Sequence, residues 1–457
     1  MLYVKNKFNG EVIAELKETS IEDAKTVLRK AVNAFKDVSR LPAYKRSESL
    51  IDLSERISKG ADSLAKTIAM EAGKPVKYAQ KEVRRAAFTI KTSGEEAKRI
   101  YGETIPFDVE PRGEGRFAYY TRVPIGPVFS ITPFNDPLNL VAHKVGPAIA
   151  AGNSIVNKPT TLTPLSSLKL EEMLRSTELP ENSYQNIIAG GESEVTKFFL
   201  TSEEMKKVTF TGGIEAAEKL VKTAGPKKYS MELGSNSPVI VFEDSDWENY
   251  VDSIVDAAFE SQGQNCIHAQ RLIVQKNIIS EFKEAIIKST KKLKVGNPLD
   301  ENTDIGPMIS EGEAKRVEKW VNEAVSEGGN VLTGGRREGS IYYPTVMENV
   351  PRKATIWKNE VFGPVTLIIP FEKIEEAIEI ANDVPYGLQA GVFTSNIETA
   401  MKMIDHLDFG AVLINDTSDF RVDTMPFGGM KKSGIGREGI RFAIEEMTEI
   451  KLAIFRR

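Results

Sequence analysis

The sequence predicts an α/β protein with parallel sheets, divided among two or three domains. From Val128 onward, short apolar runs alternate with helical stretches. The runs are Val128–Thr132, Ser154–Asn157, Tyr184–Ile188, Val208–Thr211, Pro238–Phe242 and Leu272–Gln275, and a second such series runs from Thr345 to Asn415. Strands separated by helices pair in parallel, because the helix is the crossover that returns the chain to the same edge. The 457 residues also exceed what one hydrophobic core holds.

The elements follow in order. Ser20 can cap the first helix, with Asp23 completing a near capping box, and Ala24, Val27, Leu28, Ala31, Val32 and Phe35 fall at helical spacing. Helical patterns continue from about Arg46 to Ala72 and from Pro75 to about Ile100. From Gly102 to Tyr120 the chain turns to Gly, Pro, charge and aromatics without a helical period, the texture of a hairpin that leaves its domain. The alternating strands and helices begin after Pro124-Ile125-Gly126-Pro127.

Composition narrows the function classes. A hydrophobic fraction of 41% and a charged fraction of 27% suit a globular protein. A net charge of −5 without a basic block argues against nucleic acid as partner. No apolar run approaches the ~20 residues of a membrane span, and Met1–Lys5 lacks the apolar core of a signal peptide. With a single cysteine, these features lead us to expect a cytoplasmic protein. His143, His268 and His406 show no metal-ligand spacing, so no metal is expected.

That single cysteine carries most of the functional signal. A lone Cys is usually a small buried hydrophobe, but Cys266 follows Gly263, Gln264 and Asn265, a polar turn. A thiol on such a turn can serve as a covalent nucleophile. Four other segments carry parts it would need. Thr132-Pro133-Phe134-Asn135-Asp136-Pro137 places an amide, Asn135, in a turn restrained by two prolines, where it can face an oxyanion. Met231-Glu232-Leu233-Gly234 sets an acid between apolar neighbours ahead of a strand, and burial makes a carboxylate a better base near neutral pH. Phe210-Thr211-Gly212-Gly213 is a strand, Gly turn and helix, a geometry for pyrophosphate. Trp357–Pro364 offers Glu360 to ribose hydroxyls and Phe362 to a flat ring. Each alone has an ordinary structural reading. His268, two residues past Cys266, is no protease partner, since working Cys/His pairs come from distant segments.

Together these segments resemble the aldehyde dehydrogenase superfamily from about residue 10 to the end. Asn157-Lys158-Pro159 and Pro426-Phe427-Gly428-Gly429 join the match, and Glu232 and Cys266 stand at the family's spacing of 34 residues (266 − 232). The resemblance implies a Rossmann-like cofactor domain at 1–101 and 125–234, an α/β catalytic domain at 235–438, and a small β oligomerisation arm at 102–124 and 439–457. An arm with unpaired edges needs a partner, so a homodimer or homotetramer is expected.

By the same resemblance, Cys266 is the nucleophile, Asn135 and the Cys266 N–H form the oxyanion hole, and Glu232 activates water to hydrolyse a thioester. Lys144 and Glu438 match a proton relay. Thr132, Pro133, Phe134, Lys158, Thr161, Gly212, Gly213, Leu233, Glu360 and Phe362 match the NADP or NAD site. Thr161 stands where NAD-preferring members often carry Glu, which tilts the expectation toward NADP. Ala217 and Ser235 replace glycines usual near the cofactor. Asp136, Leu140, His143, Asn265, Ile267, Arg421 and Phe427 match the substrate tunnel, with Asp416 and Thr417 on the loop before Phe427. This wall is too polar for a fatty aldehyde.

The region of Asn415-Asp416 and Phe420-Arg421, followed by Met425-Pro426-Phe427-Gly428-Gly429, resembles archaeal lactaldehyde dehydrogenases. The likeness implies a non-acylating enzyme for a lactaldehyde- or glyceraldehyde-type substrate. Arg421 can instead pair with the carboxylate of a semialdehyde of succinic semialdehyde type, or bridge to Asp423 or Asp416. Transfer to coenzyme A is a rival outcome, but the relatives that do this lack the glutamate at Glu232. A non-catalytic structural or binding protein on the same fold would have lost Cys266, Asn135 or Glu232, and all three are present.

Overall fold

The computed structural model describes residues 1–456. Two parallel-based sheets organise the chain. The first runs, in spatial order, Gly434–Ile435, Lys228–Leu233, Lys207–Gly212, Val128–Thr132, Ile155–Pro159 and Tyr184–Asn186. All its pairings are parallel except that of Gly434–Ile435, which runs antiparallel beside Lys228–Leu233 with Gly434 opposite Glu232. The second runs Asn330–Thr333, Thr345–Glu348, Val365–Phe371, Ala269–Gln275, Ser237–Val241, Gln389–Phe393 and Ala411–Ile414, parallel except at its first strand.

Both faces of each sheet are covered, which is why the strands read as near-continuous apolar runs. On one face of the first sheet, helices Ala43–Lys59, Ala61–Ala72, Val76–Glu96 and Asn139–Ala150 form a core around Leu53, Ile68, Ile90 and Val145. On the other, helices Ile21–Val38, Glu194–Thr201 and Ile214–Ala224 pack around Phe129, Phe199 and Val208. Ser20 and Asp23 form the capping box reciprocally. The single helical stretch expected over 46–72 is two helices, because Gly60 ends the first. Glu232 precedes strand Ser237–Val241, as expected, and is itself the penultimate residue of strand Lys228–Leu233. Its Lys and Glu residues hid that strand from an apolar-run search.

The third sheet pairs Arg116–Pro124 with Glu103–Ile105 on one side and Thr448–Arg456 on the other, all antiparallel. Ile105, Phe117, Ile450, Leu452, Ile454 and Phe455 are exposed on it. Among the described residues, no helix is long and apolar enough to cross a membrane.

Candidate active site

Cys266 sits on the segment that enters strand Ala269–Gln275, and Glu360 on the one that enters its parallel neighbour Val365–Phe371. The two segments therefore arrive at the same end of two neighbouring strands of the second sheet. Gln270 stitches them together: its Nε2 donates to the carbonyls of Ile356 (2.8 Å) and Asn359 (2.9 Å), and its Oε1 accepts from Val361 N–H (2.9 Å). Upstream, Ser261, Gln262 and Gly263 are all left-handed, with φ of 54°, 60° and 64°. Gln262 repays that strain by donating to the carbonyls of Gly73 (2.7 Å) and Pro307 (3.2 Å), while Gln264 accepts from Ile309 N–H (3.0 Å). The nucleophile loop is thus fixed from both sides of the chain.

Gly263 has no room for a side chain. A Cβ there would lie 2.3 Å from the Gly363 carbonyl oxygen. Gly263→Ala is expected to lower stability by about 1–3 kcal/mol from the left-handed backbone alone. Chemical denaturation of the variant checks this.

Asn135 comes from the loop after strand Val128–Thr132. Charge pins that loop. Asp136 contacts Lys74, and Arg85 lies 3.3 Å from its second oxygen. Glu82, 2.6 Å from Lys74, accepts from the N–H groups of Leu138 (2.8 Å) and Asn139 (3.2 Å), which lie at the start of helix Asn139–Ala150. Burial works against the Asp136 carboxylate, but Lys74 and Arg85 hold its pKa below the usual value.

Two cavities meet at Cys266. One, of about 210 Å³, is lined by Pro133, Phe134, Thr211, Gly212, Gly213, Glu232, Leu233, Gly234, Glu360 and Phe362 together with Asn135, Leu140 and Cys266. The other, of about 390 Å³, is lined by Cys266, Asn135, Asp136, Leu140, Asn265, Ile267, Arg421 and Phe427 at its inner end. Cys266 is half-buried, and its Sγ lies 3.8 Å from Asn265 Oδ1. Burial, then the charge of Glu360, pushes the thiol pKa up, so the resting sulfur is protonated.

Glu232 is buried, and neither of its carboxylate oxygens has a hydrogen-bond partner. Burial, then the like charge of Glu438, pushes its carboxyl well above the usual range. A buried acid with no bond to give up is available to take a proton. Glu438 is the opposite case. Its Oε1 lies 2.8 Å from Lys144 and its Oε2 2.9 Å from Arg421. These cations outweigh burial and hold it well below the usual range.

The smaller cavity offers the groups a nicotinamide ring and its ribose would use. Phe134 and Phe362 meet edge to face at 5.7 Å. Glu360 accepts from Ser235 N–H (2.9 Å), and burial pushes its carboxyl up to about 8. A Cβ on Gly234 would lie 2.2 Å from Glu360, so this glycine keeps the carboxylate in place. A further cavity of about 500 Å³ lies between helices Glu194–Thr201 and Ile214–Ala224, with Lys158 in its wall. Lys158 is buried, and its Nζ donates to the Ala189 carbonyl oxygen at 3.2 Å rather than to an acid. Burial lowers its pKa to about 8. Gly213, which opens helix Ile214–Ala224, borders open space. An unneutralised buried cation and an open helix start suit an anionic dinucleotide.

The family model described as "Aldehyde dehydrogenase family" matches residues 2–453. The chain belongs to the aldehyde dehydrogenase family. It is 44% identical to aspartate-semialdehyde dehydrogenase 1 of Pseudomonas canavaninivorans, over 98% of this chain and 95% of that one. It is 41% identical to the lactaldehyde dehydrogenase of Methanocaldococcus jannaschii, over 98% and 96%. The crystal structure of glyceraldehyde-3-phosphate dehydrogenase GapN from Methanocaldococcus jannaschii, complexed with NADP, superposes with a TM-score of 0.96 at 39% identity, covering 100% of this chain and 99% of that one.

Within this aldehyde dehydrogenase, some expected site residues stand elsewhere. His143 does not line the substrate cavity. It is buried behind it, with Nε2 2.9 Å from Asp423 and 3.2 Å from Arg421. Thr161 lies in the turn after strand Ile155–Pro159, half-exposed, outside the wall that contains Lys158. Thr132 is buried beneath the loop, its hydroxyl 3.4 Å from Asn157 Oδ1. Arg421 pairs mainly with Glu438 rather than Asp416 or Asp423. Asp423 is 3.9 Å away, and the guanidinium stacks 3.7 Å over Phe427. Ala217 is buried in helix Ile214–Ala224, and the Ser235 hydroxyl meets Ser237 at 3.1 Å.

Sequence reasoning missed Lys74, Lys81, Glu82 and Arg85, which sit near or on helix Val76–Glu96. They lie outside any motif. The one signal was charge at helical spacing beside the apolar stripe of that helix, a pattern shared by many surface helices.

Proposed function

We propose that this aldehyde dehydrogenase oxidises a short hydroxylated aldehyde, of lactaldehyde or glyceraldehyde type, to its free acid with NADP or NAD. The observation that supports it is the single thiol shared by two cavities. One is polar and walled by Asn135, Asp136, Asn265 and Arg421; the other holds an unbonded buried carboxylate, Glu232.

The chemistry follows from these groups. The Cys266 sulfur bonds to the aldehyde carbon as its S–H bond breaks, the proton passing to water. Asn135 and the Cys266 N–H stabilise the oxygen that becomes negative. A nicotinamide cofactor held against Phe134, Glu360 and Phe362 would supply the acceptor for the hydride of the thiohemiacetal carbon. The Cys266 thioester that remains is hydrolysed by water, which Glu232 deprotonates, releasing the acid and restoring the thiol. Glu438, tied to Lys144 and Arg421, keeps its charge and acts on Glu232 as a fixed negative neighbour. Because Glu232 is present, the acyl group goes to water, and added coenzyme A is expected to yield no acyl-CoA.

Formation of reduced cofactor on lactaldehyde, glyceraldehyde, succinic semialdehyde and hexanal tests the substrate class. The hydroxyaldehydes are expected to give the highest kcat/KM, and faster turnover of hexanal contradicts the reading. A semialdehyde is the second reading. It is favoured by Arg421, whose buried Nε in the cavity wall has no hydrogen-bond partner, and by the aspartate semialdehyde in one relative's name.

Lys158, lacking an acidic partner, supports NADP over NAD. Lys158→Met is expected to cut kcat/KM for NADP about 10- to 100-fold more than for NAD, the scale of a hydrogen bond to a charged group. Kinetics with both cofactors measures it, and an equal loss with each contradicts it. The three-stranded sheet and its exposed Ile450, Leu452 and Ile454 support assembly as a homodimer or dimer of dimers, which sedimentation distinguishes from a monomer.

A further inference from the structure

The outer end of the substrate cavity is charged in a lopsided way. It is walled by the exposed Ser253 and Phe420 and the exposed Lys81, with four carboxylates from two separate segments. Asp256 and Glu260 come from helix Val251–Phe259 and the turn after it, and Asp416 and Asp419 from the loop after strand Ala411–Ile414. Lys81 is the sole cation in this outer wall, and it is already spent on Glu260, at 2.8 and 3.1 Å. Asp256 accepts from the Tyr78 hydroxyl (2.8 Å), and Asp419 from the Thr417 hydroxyl (2.5 Å), both neutral donors. Burial, followed by Glu260 and Asp256 as repelling neighbours, pushes the Asp419 carboxyl up to about 6, against the Thr417 bond and Lys81.

The inner end offers no surplus of positive charge to offset this. Arg85 lies 2.8 Å from Asp423 and 3.3 Å from Asp136, and Arg421 lies 2.9 Å from Glu438. Lys74 is shared between Glu82 and Asp136. A substrate entering this cavity therefore meets net negative charge at the mouth and paired charge at the bottom. In a low-dielectric cleft such a field discriminates by ligand charge.

We propose that the carboxylates Asp256, Glu260, Asp416 and Asp419 act as a charge filter on the aldehyde. They admit neutral hydroxyaldehydes, slow those with one negative charge, and exclude those with the nearly two negative charges of a phosphate. The filter rests on the hydroxyaldehyde reading above and sharpens it. The same carboxylates can accept hydrogen bonds from distal hydroxyls, so the cost falls on anions alone.

The test compares kcat/KM for glyceraldehyde, succinic semialdehyde and glyceraldehyde 3-phosphate on the wild-type enzyme at about 0.01 M and 1 M salt, where the screening length falls from about 30 to 3 Å. The filter predicts that order of preference at low salt, with a glyceraldehyde to glyceraldehyde 3-phosphate ratio above about 100, a difference near 2.8 kcal/mol. High salt is expected to shrink that ratio at least several-fold, and so is the variant Asp256→Asn/Glu260→Gln/Asp419→Asn at low salt, chiefly through KM for the phosphorylated aldehyde. The salt series on the wild type decides the matter if the variant does not fold. A ratio near one, or a ratio unmoved by salt, overturns the filter. Failure to oxidise glyceraldehyde and lactaldehyde at all overturns the hydroxyaldehyde reading instead.

Discussion

Replacing Cys266 with alanine is expected to lower aldehyde oxidation by more than about 10⁴-fold in kcat, because no other group in the cavity can form the covalent intermediate. Cys266 is the sole cysteine of the chain, so no neighbouring thiol can substitute. The loop around it is held by Gln262, Gln264 and Gly263 rather than by its own sulfur. The variant should therefore keep its fold and its dinucleotide affinity. Steady-state rates with lactaldehyde, alongside a cofactor titration by fluorescence, separate lost chemistry from lost structure. Residual turnover within about tenfold of wild type would remove Cys266 from the reaction.

The second large effect belongs to Glu232. Glu232→Gln preserves shape but cannot take a proton from water, so the thioester is expected to form and then persist. Rapid mixing should show reduced cofactor rising toward one equivalent per active site, followed by a steady rate about 10²- to 10⁴-fold below wild type. Slowing of the burst itself would measure how far Glu232 also serves the thiol. The pH dependence has a definite sign. Burial and Glu438 raise the Glu232 pKa above the usual carboxylate value, and the base works only when ionised. Wild-type kcat should therefore fall as pH is lowered through that raised value, at a higher pH than an ordinary carboxylate would give. Glu438→Gln removes the repelling charge and should move this limb to lower pH.

How much of this was legible in the sequence depended on whether a feature was local. The parallel strands at Val128–Thr132 and Lys207–Gly212 announced themselves as apolar runs, since both faces of the sheet are buried. The capping box at Ser20 and Asp23 was equally plain. Cys266, Glu232, Asn135, Glu360 and Phe362 came together in space around one pair of cavities, as their motifs suggested. Strand Lys228–Leu233 was hidden because its exposed end carries polar residues. Of the ion pairs under the substrate cavity, Lys144 and Glu438 were named together only through the resemblance, and they meet across 294 positions of chain; Arg85, which stands in no motif, meets Asp423 across 338. No local pattern encodes such pairs. For the same reason His143, which a linear comparison places in the tunnel, turns out to support Arg421 from behind.

The most direct test of the central claim is mass spectrometry of Glu232→Gln enzyme after one turnover with lactaldehyde and NADP. The account predicts a lactoyl group on the peptide that contains Cys266, held as a thioester that hydroxylamine releases. Stoichiometric reduced cofactor with no adduct on that peptide would contradict it, since hydride transfer would then have occurred without a covalent bond to Cys266.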